Sequence, residues 1–141
     1  MINLKDFNKF KKIVNKTLGF KISKALSNVD LINVTNFFKI PGHYDVIKSY
    51  DIKNDYYYFI RIIKKRRKFS FIILVNNSHW VLLKSIDKFN VLYYDPLNND
   101  IGEDLKEILN KYKYNIKIKD DFYQKDKTLC GYYCLYVLLN Y

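Results

Sequence analysis

Residues 130–139, CGYYCLYVLL, form an apolar stretch without a single charged side chain. A helix that is apolar all round is buried on most sides, so this stretch predicts the central helix of the core. Cys130 begins it, where the partial positive charge and free N–H groups of a helix N-terminus favour a thiolate. Cys134, one turn further along, is expected to be an inert core thiol. Their side chains point along parallel directions, so two free thiols in a reducing compartment are expected rather than a disulfide.

Outward from this stretch, hydrophobic periodicity predicts the other elements. Helices are expected at 4–18, at 29–38 with Asn28 before it as the cap, and at 101–112. Strands of β-branched and aromatic residues are expected at 56–63, 69–75, 80–86, 90–94 and 114–118. The first two strands are expected to form a hairpin whose tip is the basic run 64–68. Residues 71–75 are apolar on both faces, which predicts a central strand.

The length of 141 residues, 49% of them hydrophobic, predicts one compact domain, residues 1–141, with a single core. The sequence shows no apolar run of membrane-spanning length and no secretory signal. We therefore expect an intracellular, soluble protein that is not secreted, does not contact a membrane and is monomeric.

The formal net charge of +11 suggests an anionic partner such as nucleic acid. A second explanation is equally open, because only three of the 25 basic residues are arginines and alanine occurs once. Such residue usage is what an AT-rich genome would impose through its codons. The lysine-rich composition therefore does not decide between DNA binding and compositional drift.

Three residues predict nucleophilic catalysis by cysteine, which needs a thiolate, a base and a group that orients the base. Of the two histidines, His43 and His79, the second lies at the start of a predicted strand, where a side chain is held firmly but stays reachable. Asp95 ends the next strand, and the following proline stops the ladder. If the two strands pair antiparallel, His79 and Asp95 emerge at the same end of the sheet. Cys130 would be the nucleophile.

Two residues near Cys130 and one beside His79 have candidate supporting roles. Gln124 is expected to donate to the oxyanion that forms when Cys130 attacks a carbonyl. Gly131 would let a substrate backbone approach closely. Trp80 would either form a wall of the site or simply pack in the core. No residue pattern suggests a metal site.

Taken singly, each of these residues has an ordinary structural explanation, but the ordered set is specific. His79-Trp80, Asp95, Gln124 and Cys130-Gly131 resemble the adenovirus-type viral maturation proteases, relatives of the ubiquitin-like-protein-specific proteases. Residues 26–41 and 129–136 resemble the virophage and large-DNA-transposon branch. The likeness covers roughly residues 26 to 138.

This resemblance implies a fold, an activity and partners. The fold would be α+β, a permuted papain-like arrangement in which a central mixed sheet presents His79 and Asp95 while the nucleophile heads a buried helix. The activity would be that of a cysteine endopeptidase that cleaves viral capsid or core precursors at Gly-Gly or Gly-X sites. The expected location is then the host cytoplasm or a viral factory, with packaging in the virion. No cofactor is required, and stimulation by DNA is left open.

Two local departures from the family pattern leave the loops uncertain. Residues 77–78 are Asn-Ser where Gly-Thr is common, and residues 95–97 are Asp-Pro-Leu where Asp-Ser-Phe is common. The two cysteines also leave no third to tether an activating peptide.

Two other functions remain open: a protease that processes or deconjugates ubiquitin-like modifiers, and a basic nucleic-acid-binding module without enzymatic activity. The first DNA-binding candidates are the five residues of the basic run, which are Lys64, Lys65, Arg66, Arg67 and Lys68.

Overall fold

A computed structural model describes residues 4–39, 43–47, 53–75, 79–123 and 128–140. Within these ranges the chain forms five helices and five strands. In chain order they are α1 Leu4–Leu18, α2 Asn28–Phe38, β1 His43–Ile47, α3 Lys53–Lys64, β2 Phe69–Val75, β3 His79–Ser85, β4 Asn90–Tyr94, α4 Glu103–Lys111, β5 Asn115–Ile118 and α5 Cys130–Asn140. None of the helices in these ranges combines the length and apolar character needed to cross a lipid bilayer.

The strands form one mixed sheet in the order β1-β2-β3-β4-β5. β1 runs parallel to β2, and β5 runs parallel to β4. β3 lies in the middle and is antiparallel to both of its neighbours. The α+β class and the central mixed sheet expected from the sequence are therefore present, and Cys130 is the first residue of the buried helix α5.

Helices cover both faces of the sheet, which explains why its central strands are apolar on both sides. Ile72 and Leu82 pack into one core with α1, α2 and α5. Phe71 and Leu83, their neighbours in sequence, pack into the other core with α3 and α4. Successive side chains of a strand point to opposite faces, so a strand between two helical layers needs apolar residues at every position.

Local residues mark the C-terminal end of α1 and the N-terminal end of α2. Gly19 follows α1 with φ +75°, the left-handed conformation that glycine adopts without strain. Ser27, rather than the expected Asn28, caps α2: its side chain accepts from the backbone N–H of Asp30, whose carboxylate accepts from the backbone N–H of Ser27. This reciprocal capping box satisfies two donors at the start of the helix.

The predicted strand at 56–63 is wrong, and with it the hairpin to residues 69–75. This segment belongs to helix α3, and the partners of β2 in the sheet are β1 and β3. Phe59, Ile62 and Ile63 recur at helical spacing and are buried, whereas Tyr57 is 73% exposed. The packing of one helical face against the sheet therefore outweighs the strand preference of these side chains. The basic run at 64–68 is a helix-to-strand connection and not a hairpin tip.

Strand β1 was not expected from the sequence. Its five residues lie at the sheet edge and pair only with β2 through a parallel ladder. A segment of this length with an aspartate at its centre offers little periodicity to detect. Only its backbone pairing is described, so the side chain of His43 lies outside the described part of the structure.

Arg66 ties the α3–β2 connection to two other segments. It adopts a left-handed conformation with φ +53°. Its guanidinium donates to the backbone carbonyl of Lys88 at 2.7 Å and to that of Tyr112. The same group lies over the rings of Phe89 and Tyr114, 5.4 and 4.7 Å from their centroids. Arg66 is thus a structural anchor rather than a freely available cation.

We predict that Arg66→Ala lowers the free energy of unfolding by roughly 1–3 kcal/mol, because two carbonyls lose a charged donor. The neighbouring exposed Arg67 provides a matched control, and Arg67→Ala is expected to stay within about 0.5 kcal/mol of the wild type. Urea unfolding followed by circular dichroism measures both. Equal losses for the two variants would show that Arg66 is not an anchor.

Candidate active site

The register of the central strands brings three predicted residues to one end of the sheet. His79 is the first residue of β3 and pairs with Val75, the last residue of β2. The β3–β4 ladder pairs Leu82 with Tyr94, so Asp95 emerges directly after β4 at the same end as His79. Cys130 begins α5, which packs against β3 on one face of the sheet.

Asp95 holds the ring of His79. Its Oδ1 is hydrogen-bonded to Nε2 of His79, and both side chains are buried, with exposed fractions of 4% and 7% for the two residues. The same oxygen accepts the backbone N–H of Leu97 at 2.8 Å. The backbone carbonyl of Asp95 accepts the N–H of Asn98 at 2.8 Å and closes the turn. The carboxylate is therefore fixed by its own loop before it orients the histidine.

The other ring nitrogen of His79 is left for Cys130. Nδ1 is buried and has no hydrogen bond of normal geometry within the described residues. The Cys130 side chain nevertheless lies near enough to the ring to raise the pKa of His79. A second group fixes the sulfur, since the backbone N–H of Trp80 donates to Sγ of Cys130 at 3.4 Å.

The charge on His79 is set by opposing influences. Burial lowers the pKa of the imidazole, but the hydrogen bonds and charges of Asp95 and Cys130 outweigh burial and raise the pKa of His79 from 6.5 to about 9. The raised pKa favours the protonated ring at neutral pH, with its Nε2–H on Asp95. This is the charge state that pairs with a cysteine thiolate.

Cys134 occupies a different environment one helical turn away. It is fully buried, and its thiol donates to the carbonyl of Trp80, with Sγ 3.4 Å from the oxygen. Burial, together with the nearby Cys130 and Asp95, raises the pKa of the Cys134 thiol well above its usual range. Cys134 therefore stays protonated in the core, in line with the expectation of an inert thiol.

Gly131 and Trp80 are both engaged in core packing. A Cβ placed on Gly131 would lie 3.1 Å from Cβ of Leu26, so the space above the glycine is filled by the protein itself. Trp80 is 6% exposed, and its indole N–H donates to the carbonyl of Leu26 at 3.0 Å. The expected role of Gly131 in admitting a substrate backbone has no support here, because Leu26 occupies that side. Of the two interpretations of Trp80, core packing is the one observed.

Several predicted features lie outside the described residues. Gln124, the candidate oxyanion donor, is one of them, and so are Asn77 and Ser78 before His79. The segment preceding Gln124 is described: the hydroxyl of Tyr94 donates to the carbonyl of Phe122 at 2.6 Å. Because Tyr94 immediately precedes Asp95, this bond joins the end of β4 to the chain that leads toward Gln124.

Leu26 had no predicted role, and the structure places it beside Gly131 and Trp80. Leu26 packs on Gly131 and accepts the indole N–H of Trp80, so it connects the α1–α2 connection to both β3 and α5. The only sequence signal for it was its place in the segment resembling a known protease branch. Across the described part of the chain, no group of three or more His, Cys, Asp or Glu side chains could hold a metal ion.

Comparisons with known proteins identify the fold. No protein-family model matches the sequence, and no curated protein gives a significant match. Among solved structures, the SUMO protease Ulp1 with its catalytic cysteine oxidised to a sulfinic acid matches with a TM-score of 0.57 and 20% identity, over 99% of this chain and 84% of that one. The same protease in its sulfenic acid form matches with a TM-score of 0.52 and 19% identity over the same shares. The central domain of the Legionella pneumophila protein Lpg1148 matches with a TM-score of 0.55 and 14% identity, over 81% of this chain and 74% of that one.

At these identities the likeness establishes the fold, which is the α+β fold of the protease Ulp1. It agrees with the part of the predicted resemblance that concerns ubiquitin-like-protein-specific proteases. The narrower adenovirus-type and virophage branch stays a prediction.

We predict that the imidazole of His79 titrates near pH 9 and that Asp95→Asn moves the midpoint well below that value. The variant keeps an oxygen that can accept the Nε2–H but loses the negative charge that raises the pKa of His79, while burial continues to lower it. Stability from the protonated ring is fully present below pH 6.5 and is lost as the pH rises through 9, so the variant should lose stability mainly below pH 9. Nitrogen-15 NMR of the two histidines measures the midpoint, and an unchanged midpoint in Asp95→Asn would contradict this account.

Proposed function

We propose that the protein is a cysteine peptidase with Cys130 as nucleophile, His79 as acid and base, and Asp95 as the group that orients His79. The observation that carries this proposal is the buried set in which Asp95 holds one ring nitrogen of His79 and the other is left for Cys130. The fold supports it, because Ulp1 is a protease with a catalytic cysteine.

The proposed reaction starts from the imidazolium–thiolate pair. The Cys130 thiolate attacks the scissile carbonyl and forms a tetrahedral oxyanion. The Nδ1–H of His79 then protonates the leaving amine, and the collapse of the intermediate breaks the carbon–nitrogen bond and leaves a thioester on Cys130. Neutral His79 next takes a proton from water, which attacks the thioester, releases the carboxylic acid and restores the ion pair. Asp95 keeps its Nε2 hydrogen bond throughout.

Stabilisation of the oxyanion requires donors directed at the carbonyl oxygen. We assign one donor to the side-chain amide of Gln124, as the sequence suggests, and a second to a backbone N–H at the start of α5. The Trp80 N–H has a separate task, since it already donates to the sulfur of Cys130.

The proposed substrate is the Gly-Gly end of a ubiquitin-like modifier. Cys130 is only 4% exposed and His79 only 7%, so an extended chain with small side chains is the kind of substrate that could reach the sulfur. The solved structures with this fold include a protease that acts on SUMO, a ubiquitin-like modifier. Cleavage of viral capsid or core precursors, which requires the same small residues, stays a prediction from the sequence.

We predict that Cys130→Ala abolishes cleavage of a Gly-Gly-containing peptide while thermal unfolding stays near that of the wild type. A vinyl-sulfone probe should label the wild type once, at Cys130. Cys134→Ser is the matched control, because serine keeps a donor for the Trp80 carbonyl, and it should remain labelled and active. Cleavage by purified Cys130→Ala, or labelling at Cys134 instead, would exclude the proposed nucleophile.

We predict further that the enzyme cleaves a ubiquitin-like conjugate faster than a capsid precursor carrying the same Gly-Gly junction. The reason is that a fold shared with a SUMO protease supports recognition of a folded ubiquitin-like modifier. A capsid precursor carries the Gly-Gly junction but no such modifier. The measurement is kcat/KM for the two substrates with the same residues around the cleaved bond. A higher value for the precursor would favour the viral maturation role.

A further inference from the structure

An open cleft of about 610 Å³ lies between the α3–β2 connection and the β3–β4 turn. Its lining includes four cationic side chains, Arg66, Arg67, Lys68 and Lys88, and one carboxylate, Asp87. The cations come from two segments about twenty residues apart in sequence. The fold, and not a single basic run, therefore concentrates positive charge here.

The cleft lies at the end of the sheet opposite His79. β3 ends at Ser85, which lines the cleft, and β2 begins at Phe69, directly after the lining residue Lys68. The candidate catalytic residues adjoin the other ends of the same strands, after Val75 and at His79. A ligand in the cleft would leave the nucleophile free.

The cations of the cleft are available to an anionic ligand. Arg67, Lys68 and Lys88 are exposed, and among the described residues no carboxylate lies within ion-pair distance of them. The Asp87 carboxylate is already engaged, because it accepts the backbone N–H groups of Phe89 and Asn90 and the side-chain amide of Asn90.

The structure also revises which basic residues belong to this surface. Arg66 contributes charge but is bound to two backbone carbonyls, so Arg67 and Lys68 are the free residues of the original run that line the cleft. Lys65 is exposed but does not line it. Lys88 was not among the candidates from sequence, because it lies in a different connection. Lys64, which was among them, ends α3 with its Nζ over the ring of Tyr112 and does not line the cleft.

We propose that this cleft binds the phosphate backbone of a nucleic acid. Lysine and arginine side chains that line one open groove can each neutralise a phosphate and release its counterion. Phe89 follows Lys88 at the edge of the cleft; Arg66 lies over its ring at 5.4 Å, and with 57% of the residue exposed a base can stack on the part of the ring that Arg66 leaves open. An acidic protein surface would bind the cationic side chains but would not need the Phe89 ring. A nucleic acid can contact both, so we favour a nucleic acid as the ligand.

The test is fluorescence anisotropy with a labelled 20-nucleotide single strand and with its duplex, over a range of salt concentrations. The variant Arg67→Gln/Lys68→Gln/Lys88→Gln should bind at least about tenfold more weakly than the wild type. The slope of log K against log salt should fall by about two for the single strand and about three for the duplex. Weaker binding by the triple variant to either the single strand or the duplex supports the proposal and shows which form of nucleic acid the cleft binds.

The matched control removes the same charge elsewhere: Lys9→Gln/Lys12→Gln/Lys16→Gln on α1 changes three exposed lysines. Equal losses in the two triple variants would overturn the proposal in favour of diffuse net charge. Poly-glutamate that competes as well as the oligonucleotide at equal charge would overturn it in favour of an acidic protein. Unchanged peptide cleavage without nucleic acid shows that the cleft variant is folded. If the triple variant does not fold, Lys88→Gln alone replaces it and is expected to bind the oligonucleotide about threefold more weakly.

Discussion

The packing of α5 against β3 is the constraint on which the rest of the structure depends. Helix α5 has no charged residue, and residues 130–138 are all buried, so it needs cover on every side. β3 supplies one side, and α1 and α2 supply others. Both backbone groups of Trp80 face sulfurs of α5, with its N–H on Cys130 and its carbonyl on Cys134. The contact that stabilises the core thus also sets the sulfur beside the strand that begins with His79.

A buried charged pair would destabilise this core if its partners were absent, because desolvation penalises the charged imidazole. Asp95 supplies the compensating interaction, and its own oxygen is held by the N–H of Leu97. The carboxylate, the ring and the sulfur are therefore arranged before any substrate binds. Preorganisation of this kind means that the proposed reaction would need little rearrangement of these three groups.

Much of the fold could be predicted from the sequence because local periodicity and burial agree in most segments. The bounds of α1 match the expected ones, α2 begins one residue earlier than expected, and β2, β3 and β4 lie where alternating or continuous apolar runs occur. The segment 56–63 failed because tyrosine, phenylalanine and isoleucine favour strands while their spacing fits a helix. Only the sheet, which lies against Phe59, Ile62 and Ile63, decides between the two. β1 was not predicted because it is defined by its pairing with β2, a contact between segments distant in sequence.

Part of the candidate site could likewise be predicted from the sequence, and part could not. A short antiparallel connection between two strands is enough to bring His79 and Asp95 to one end, so their proximity could be inferred. The position of Leu26 behind Gly131 could not, because it depends on how the α1–α2 connection crosses α5. Which nitrogen of His79 meets Asp95, and the direction in which its pKa moves, also depend on three-dimensional distances and burial.

The basic cleft and the candidate catalytic residues act independently, because the lengths of β2 and β3 separate them. Each strand has seven residues, which places their two ends about 20 Å apart. At physiological salt the screening length is about 8 Å, so exposed charges at one end have little effect at the other. The groups that shift the pKa of His79 agree with this, since only Asp95 and Cys130 contribute charge. A polyanion bound at the basic end would therefore leave the protonation of His79 unchanged.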